Sequence, residues 1–257
     1  MKKILSLLLI FSTLLVNISL SSCKEKTPAE EIAEAIENTL ALSELSVSVK
    51  EKVKQSFLDT HQTASSSFEI RINDMNGPKM DYSAEISAES LGIAHTVNLY
   101  YRANTYFLKM GGQKIKKAAD KDSIAYDMPG LIKKLLTVPT KECFSENPIV
   151  DGKTALTFEE EDFYSVFGQY VDSAVINFLP MMVEDSLKVE NGKVEYTLKD
   201  GYITAVDISC DISMQIVYGE QFTDLVINLS DSLIINSPGE DVKVLIPDDL
   251  DKYKESN

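Results

Sequence analysis

From Thr204 to Ile216 the chain sets Thr204, Val206, Ile208, Cys210, Ile212, Met214 and Ile216 on one parity, with Asp207, Ser209, Asp211, Ser213 and Gln215 on the other. Alternation of period two over that length describes a strand with one apolar face, since an apolar helix face repeats every 3.6 residues. At 3.3 Å per residue the segment spans ~40 Å, about twice an ordinary strand. A strand that long has to twist and coil along its length. A sheet made of such strands curves, and something must cover its apolar side.

The same pattern recurs on both sides of this segment. Val47, Val49, Val53 and Phe57 share a parity, as do Phe68, Ile70 and Ile72, and then Tyr82, Ala84, Ile86 and Ala88. Val97, Leu99 and Tyr101 lead through Arg102-Ala103-Asn104-Thr105 into Tyr106, Leu108 and Met110, the outline of a hairpin. Asn191-Gly192 between Val189 and Val194, and Asp200-Gly201 between Leu198 and Ile203, predict two more tight hairpins. Leu225, Ile227, Leu229, Leu233 and Ile235 form a further strand whose face Asp231 breaks. Val242, Val244 and Ile246 close the series before Pro247.

Three segments read as helices able to cover the sheet. Thr27 and Glu30 form a capping box with Pro28 at the first helical position, and Ile32, Ile36 and Leu40 give one apolar face to about residue 43. Residues Pro129 to Thr137 carry Leu131, Ile132, Leu135 and Leu136 opposite Lys133 and Lys134. After Phe158, the acids Glu159 to Asp162 suit a helix N-terminus, and Phe163, Phe167, Tyr170, Ala174 and Phe178 follow at helical spacing.

Ahead of all this stand Lys2 and Lys3, an apolar run from Ile4 to Val16, and Leu20-Ser21-Ser22-Cys23. The layout is that of a secretory signal over residues 1–22. The tetrapeptide resembles the lipobox of bacterial lipoproteins, which implies a palmitate-type acyl anchor on Cys23, a polar tether over 23–26 and a single domain over 27–257. Ordinary cleavage or an uncleaved anchor are the alternatives, and all three place the domain on the extracytoplasmic side of a bacterial membrane. Acyl chains contribute ~0.8 kcal/mol per buried CH₂, so more than one is needed for a stable anchor. The formal charge is −15, and loss of Lys2 and Lys3 makes it more negative still. Such a chain is repelled by nucleic acid and by anionic headgroups. Of the remaining cysteines, Cys143 and Cys210 either pair as a disulfide in an oxidising compartment or stand as small buried hydrophobes.

Enzymatic chemistry finds no foothold in the sequence. His61 and His95 are the two histidines, and neither stands in a His-Glu-x-x-His zinc motif. A Gly-x-Ser-x-Gly elbow and a phosphate-cradling glycine loop are both missing, and Gly111-Gly112 reads as a turn or bulge. The acidic runs Glu159 to Asp162 and Asp248 to Asp251 lack the spacing of a calcium loop. We therefore expect a protein that is not an enzyme and uses no cofactor or metal.

Lipobox, capped helix, one-sided strands, central helical insertion, further one-sided strands and the ending Val242 to Pro247 together resemble the LolA/LppX/LprG-like lipoproteins, including Firmicutes lipoproteins of unknown function. The resemblance implies an α+β domain, a strongly curved antiparallel sheet forming a half-open barrel with helices on its concave face. It further implies noncatalytic binding of an apolar or lipidic ligand in the cavity between sheet and helices. Phe163, Phe167, Tyr170 and Phe178 are then candidates to line that cavity, or else they fill the core. Some members of this group act through a cell-wall enzyme, so an envelope scaffold that binds a protein partner without a ligand is the alternative.

Overall fold

The computed structural model describes residues 26–58, 60–119, 127–138, 149–158, 160–219 and 221–255. It begins with α1 (Pro28–Leu40). The capping box is complete: Thr27 Oγ1 accepts the Glu30 N–H at 3.3 Å, and Glu30 Oε2 accepts the Thr27 N–H at 2.9 Å. Six strands follow: β1 (Leu45–Phe57), β2 (Thr60–Asn73), β3 (Asp81–Ser90), β4 (Ile93–Arg102), β5 (Thr105–Met110) and β6 (Gln113–Ala118). Then come α2 (Met128–Leu135), β7 (Lys153–Phe158), α3 (Glu160–Val175), β8 (Lys188–Lys199), β9 (Tyr202–Tyr218), β10 (Gln221–Asn236) and β11 (Lys254–Glu255).

All eleven strands lie in one large, curved, unclosed sheet in the order β11-β6-β5-β4-β3-β2-β1-β10-β9-β8-β7. The molecule is thus mostly β. Two meanders, β1 to β6 and β7 to β10, meet where β1 pairs antiparallel with β10 from Ser46–Asn236 to Phe57–Leu225. Only the short β11 runs parallel to its neighbour, β6.

The predicted alternation is carried by burial. Val206, Ile208, Cys210, Ile212, Met214 and Ile216 are buried on β9, and Leu225, Ile227, Leu229, Leu233 and Ile235 on β10. Ile203 rather than Thr204 joins the buried set, because the β8–β9 register shifts beside Leu198 and turns the chain by one residue. The Asp200-Gly201 hairpin is present, with both residues at positive φ (53° and 79°). The turn at Ala103-Asn104 has the same character.

Asn191-Gly192 does not make a hairpin, and that expectation is corrected. The pair lies inside β8 as a bulge, where the register slips between Glu190–Asp211 and Lys193–Ser209. Asn191 takes φ 54° and anchors its amide to Asp211 Oδ2 at 2.7 Å, which satisfies the bulge locally. Gly192 lies directly under Phe163, and a Cβ there would come within 2.4 Å of the ring. The glycine serves helix–sheet packing rather than chain reversal.

The end of the chain also departs from expectation. Val242 to Ile246 is half-buried but joins no strand. This segment instead straps across the sheet from β10 toward β6. The Val242 N–H donates to Glu44, the Leu245 N–H to Ser83 Oγ at 3.4 Å, and Tyr253 packs edge-on against Phe107 on β5. Three strands escape the sequence pattern, β6, β7 and the two-residue β11. The lysine-rich and Thr-rich stretches of β6 and β7 hide the alternation.

On the apolar face α1 covers β8 and β9 with Ala29, Ile32, Ala35 and Ile36. Buried Thr39 locks it there: its hydroxyl donates to the Ala35 carbonyl at 2.7 Å and accepts the Ile203 N–H at 2.9 Å. Asn38 adds a bond from its amide to the Gly201 carbonyl at 3.1 Å.

Candidate ligand cavity

Two helices hold the roof of a cavity over the middle of the sheet. Asp127 caps α2 by accepting the Gly130 N–H at 3.0 Å, and the far end is tied down by the Tyr196 hydroxyl, which donates to the Thr137 carbonyl at 2.9 Å. Beneath the start of α2, Met128 is buried beside Tyr82, which stacks on Tyr101 with ring centroids 5.1 Å apart. Helix α3 is seated by an aromatic cluster. Phe163 stacks on Phe167 at 5.0 Å, and Phe158 meets both edge-on at 5.5 and 5.8 Å. The helix kinks at Phe167 (φ −110°, ψ 23°), beside Gly168, before carrying Tyr170 and Ala174 over β10 and β1.

Between α2, α3 and strands β1, β2 and β10 lies a cavity of ≈ 560 Å³. Its walls are mainly apolar, supplied by Val53, Ala64, Phe68, Met128, Leu131, Leu135, Ala174 and Leu229. Size and lining fall within the ordinary range of ligand pockets, ~300–1,000 Å³ with a few placed polar groups. A shallower recess lined by Ala64, Ala88, Leu91, Ile93 and His95 shares its Val53 and Ala64 wall.

The polar groups cluster at one point. Glu51 and Asp231 stand directly opposite each other across the β1–β10 pairing, and Glu51 faces Ser66 across β1–β2. Both acids share the parity of buried residues, Glu51 with Val47 and Val49 and Asp231 with Leu229 and Leu233, so both point to the apolar side. Like charges directly opposite on neighbouring strands destabilise a sheet. The Ser66 hydroxyl donates to Glu51 Oε2 at 2.5 Å. Asp231 is only 7% exposed, and its Oδ1 has no hydrogen-bond partner among the described residues. The Tyr170 hydroxyl, buried above it, completes no hydrogen bond either.

Burial, and next the charge of Glu51, push the Asp231 carboxyl up to about 8, and the nearby Tyr170 hydroxyl offsets only part of this. Asp231 therefore holds its proton at neutral pH. Tyr170 is raised by its own burial and then by Asp231. Cys210 on β9 is pushed up to about 12, chiefly by burial.

Of the aromatic candidates, Tyr170 lines the cavity. Phe163 and Phe167 are fully buried in the aromatic cluster, and Phe178 packs half-buried against the core; none of the three borders this cavity. Val171 and Val175 complete the buried stripe of α3. Cys23 and Cys143 lie outside the described residues, and Cys210 is a buried free thiol. No group of three or more metal-ligating side chains is found among the described residues. His61 accompanies Ser56 on the surface at 2.9 Å. Asp231 is visible in the sequence as a break in an apolar face. Glu51 breaks its own face equally, but only the pairing of β1 with β10 brings the two together.

One rim of the sheet is unusually greasy. The connections β1–β2, β3–β4, β5–β6 and β9–β10 all fall at the same end of an antiparallel array, and they present Leu58, Leu91, Ile93, Met110, Tyr218 and Phe222 to solvent. Leu91 and Phe222 are 72% and 71% exposed. Gln55, Gln62 and Ser90 of the cavity wall lie beside these tips.

No family model and no curated protein matches the chain. Among solved structures, LprF from Mycobacterium bovis aligns with 85% of this chain and 96% of its own at 12% identity and a TM-score of 0.38. A beta-barrel-like protein of a domain of unknown function from Brucella abortus aligns with 77% of this chain and 100% of its own at 10% identity and a TM-score of 0.18.

Proposed function

We propose that this protein is a noncatalytic, membrane-tethered extracytoplasmic lipoprotein that binds an apolar or amphiphilic ligand in the cavity beneath α2 and α3. The observation that carries the reading is the cavity itself. Its ≈ 560 Å³ stay open between apolar walls in a molecule whose neighbouring core, under α1 and around Phe163, is closely filled. Burying a ligand's CH₂ groups against such walls contributes ~0.8 kcal/mol each. The apolar rim beside the cavity suits a ligand that arrives from a bilayer, and an acyl anchor at Cys23 keeps the domain at one.

Protein purified from the producing cells is extracted with organic solvent and the extract analysed by mass spectrometry. A stoichiometric amphiphile in the native protein, lost when Ala174→Trp fills the cavity, supports the reading; an extract free of lipid from both overturns it. Cys23→Ala tests the tether separately. The altered protein is expected in the soluble fraction, and its persistence in membranes in mature form would sink the lipobox assignment.

A second reading, an envelope scaffold for a protein partner, draws on the exposed rim. Leu91→Ser with Phe222→Ser is then expected to abolish partner capture while leaving extracted lipid unchanged.

A further inference from the structure

A ligand cavity with two carboxyl groups at its base needs a reason for them. Glu51 and Asp231 sit opposite one another on the apolar face, where an apolar pair would stabilise the sheet. Neither acid has a basic partner among the described ion pairs. Ser66 orients Glu51, while Asp231 Oδ1 is buried and unpartnered on the cavity wall with the Tyr170 hydroxyl above it. Buried polar groups short of a full hydrogen bond cost up to about 1–3 kcal/mol each, and here the Tyr170 hydroxyl and Asp231 reach one another only weakly, which leaves the acid pair acceptor capacity for a ligand group.

We infer that the Glu51–Asp231 pair, roofed by Tyr170, receives the ammonium group of an amine-bearing amphiphile whose hydrocarbon part occupies the apolar walls. An ammonium brings up to three donors and a positive charge. Glu51 and Asp231 supply acceptors at the base of the cavity, beneath Tyr170. Among the other charged groups on the cavity, Asp127 at the N-cap of α2 adds to the negative field and Lys134 opposes it. Lys134 is exposed and, like Tyr170, borders both the cavity and the groove along α3. A fatty carboxylate or a phosphate would meet the charge of Glu51 and, beside it, the negative field of Asp127, so the same geometry disfavours anionic lipids.

This inference rests on the reading of the cavity as an apolar ligand site, and the test separates the two. Purified protein stripped of copurifying lipid is titrated calorimetrically at pH 7 with decylamine, decanol and decanoate, below their aggregation limits. The expected result is that decylamine binds about tenfold or more tightly than decanol, with decanoate weaker than both. In Asp231→Asn with Glu51→Gln, decanol affinity is retained and the three probes converge to within about threefold. If decanol binds but decanoate equals or exceeds decylamine, or if the amine preference survives both substitutions, the inference is overturned and the apolar site stands. If no probe binds, both fall. Tyr170→Phe, which keeps the ring and removes the hydroxyl, is expected to preserve the amine preference; its loss in that variant would overturn the assignment of charge recognition to the two acids.

Discussion

Replacing Asp231 by Asn tests the energetics of the acid pair without a ligand. The carboxyl is pushed up to about 8 in the folded protein, whereas in the unfolded chain it titrates near 3.9. Between those two values the native state holds a proton that the unfolded state has released, so folding stability falls as pH rises through the window and is flat on either side. At ~1.36 kcal/mol per pH unit the ceiling is ~6 kcal/mol. Because Asp231 borders a cavity large enough to admit water, relaxation reduces the expected effect to on the order of 2–3 kcal/mol. Asn has nearly the same shape and cannot ionise. Urea denaturation of both proteins from pH 3.5 to pH 9 is expected to give a stability difference that moves in favour of Asp231→Asn by that amount between pH 4 and pH 8. All titrations common to the two chains cancel in the difference. A difference that stays flat to within ~0.5 kcal/mol, or moves the other way, would show that Asp231 ionises as freely in the fold as in the unfolded chain and would refute the reasoning.

Other substitutions probe how the roof is held. Gly192→Val drives side-chain atoms into the Phe163 ring, and thermal or urea unfolding is expected to show a loss of ~1–3 kcal/mol or more, as for other overpacked sites. Thr39→Val removes the acceptor of the buried Ile203 N–H and is expected to cost about 1–3 kcal/mol by urea unfolding, whereas Thr39→Ser should recover most of it. Cys210, buried with its thiol pushed up to about 12, is expected to resist maleimide at pH 8 in the folded protein and to label fully in urea, as read by peptide mass spectrometry. The chain has no tryptophan, so Ala64→Trp places a single indole on the cavity wall. Its emission is expected to shift to the blue when decanol is added, as the ligand displaces water from the ring.

Local signals account for much of what the sequence made legible. The capping box at Thr27 and Glu30, the Asp200-Gly201 hairpin and the one-sided strands each depend on residues close together in the chain, so they survive folding unchanged. Asn191-Gly192 carries the same turn chemistry as a hairpin but serves a bulge, because Phe163 from a helix some thirty residues earlier needs the missing Cβ. Tertiary packing overrode local propensity there. The aromatic stripe of α3 was legible as apolar, but the kink at Phe167 divides it between a filled cluster and the cavity, and no periodicity reports that division. The acid pair was half legible. Asp231 interrupts a face within one strand, whereas its partnership with Glu51 is a matter of register between residues 180 positions apart.

That seam has a consequence for how the protein comes into being. The first long strand, β1, has its antiparallel neighbour β2 at once, but its other edge waits for β10, almost the last strand of the chain. A meander of local hairpins can form early on each side, and neither can bury its apolar face across the middle until residues near 236 have arrived. Contacts of such sequence separation slow folding, since loop closure must precede any reward. Until then β1 is an exposed edge that presents a free ladder of backbone groups to any passing strand. The nascent chain is therefore most vulnerable to aggregation at the place where the acid pair will later sit, and charges on an unpaired edge are a known deterrent to wrong partners. Glu51, flanked by Lys50 and Lys52, sits on that edge from the moment it forms.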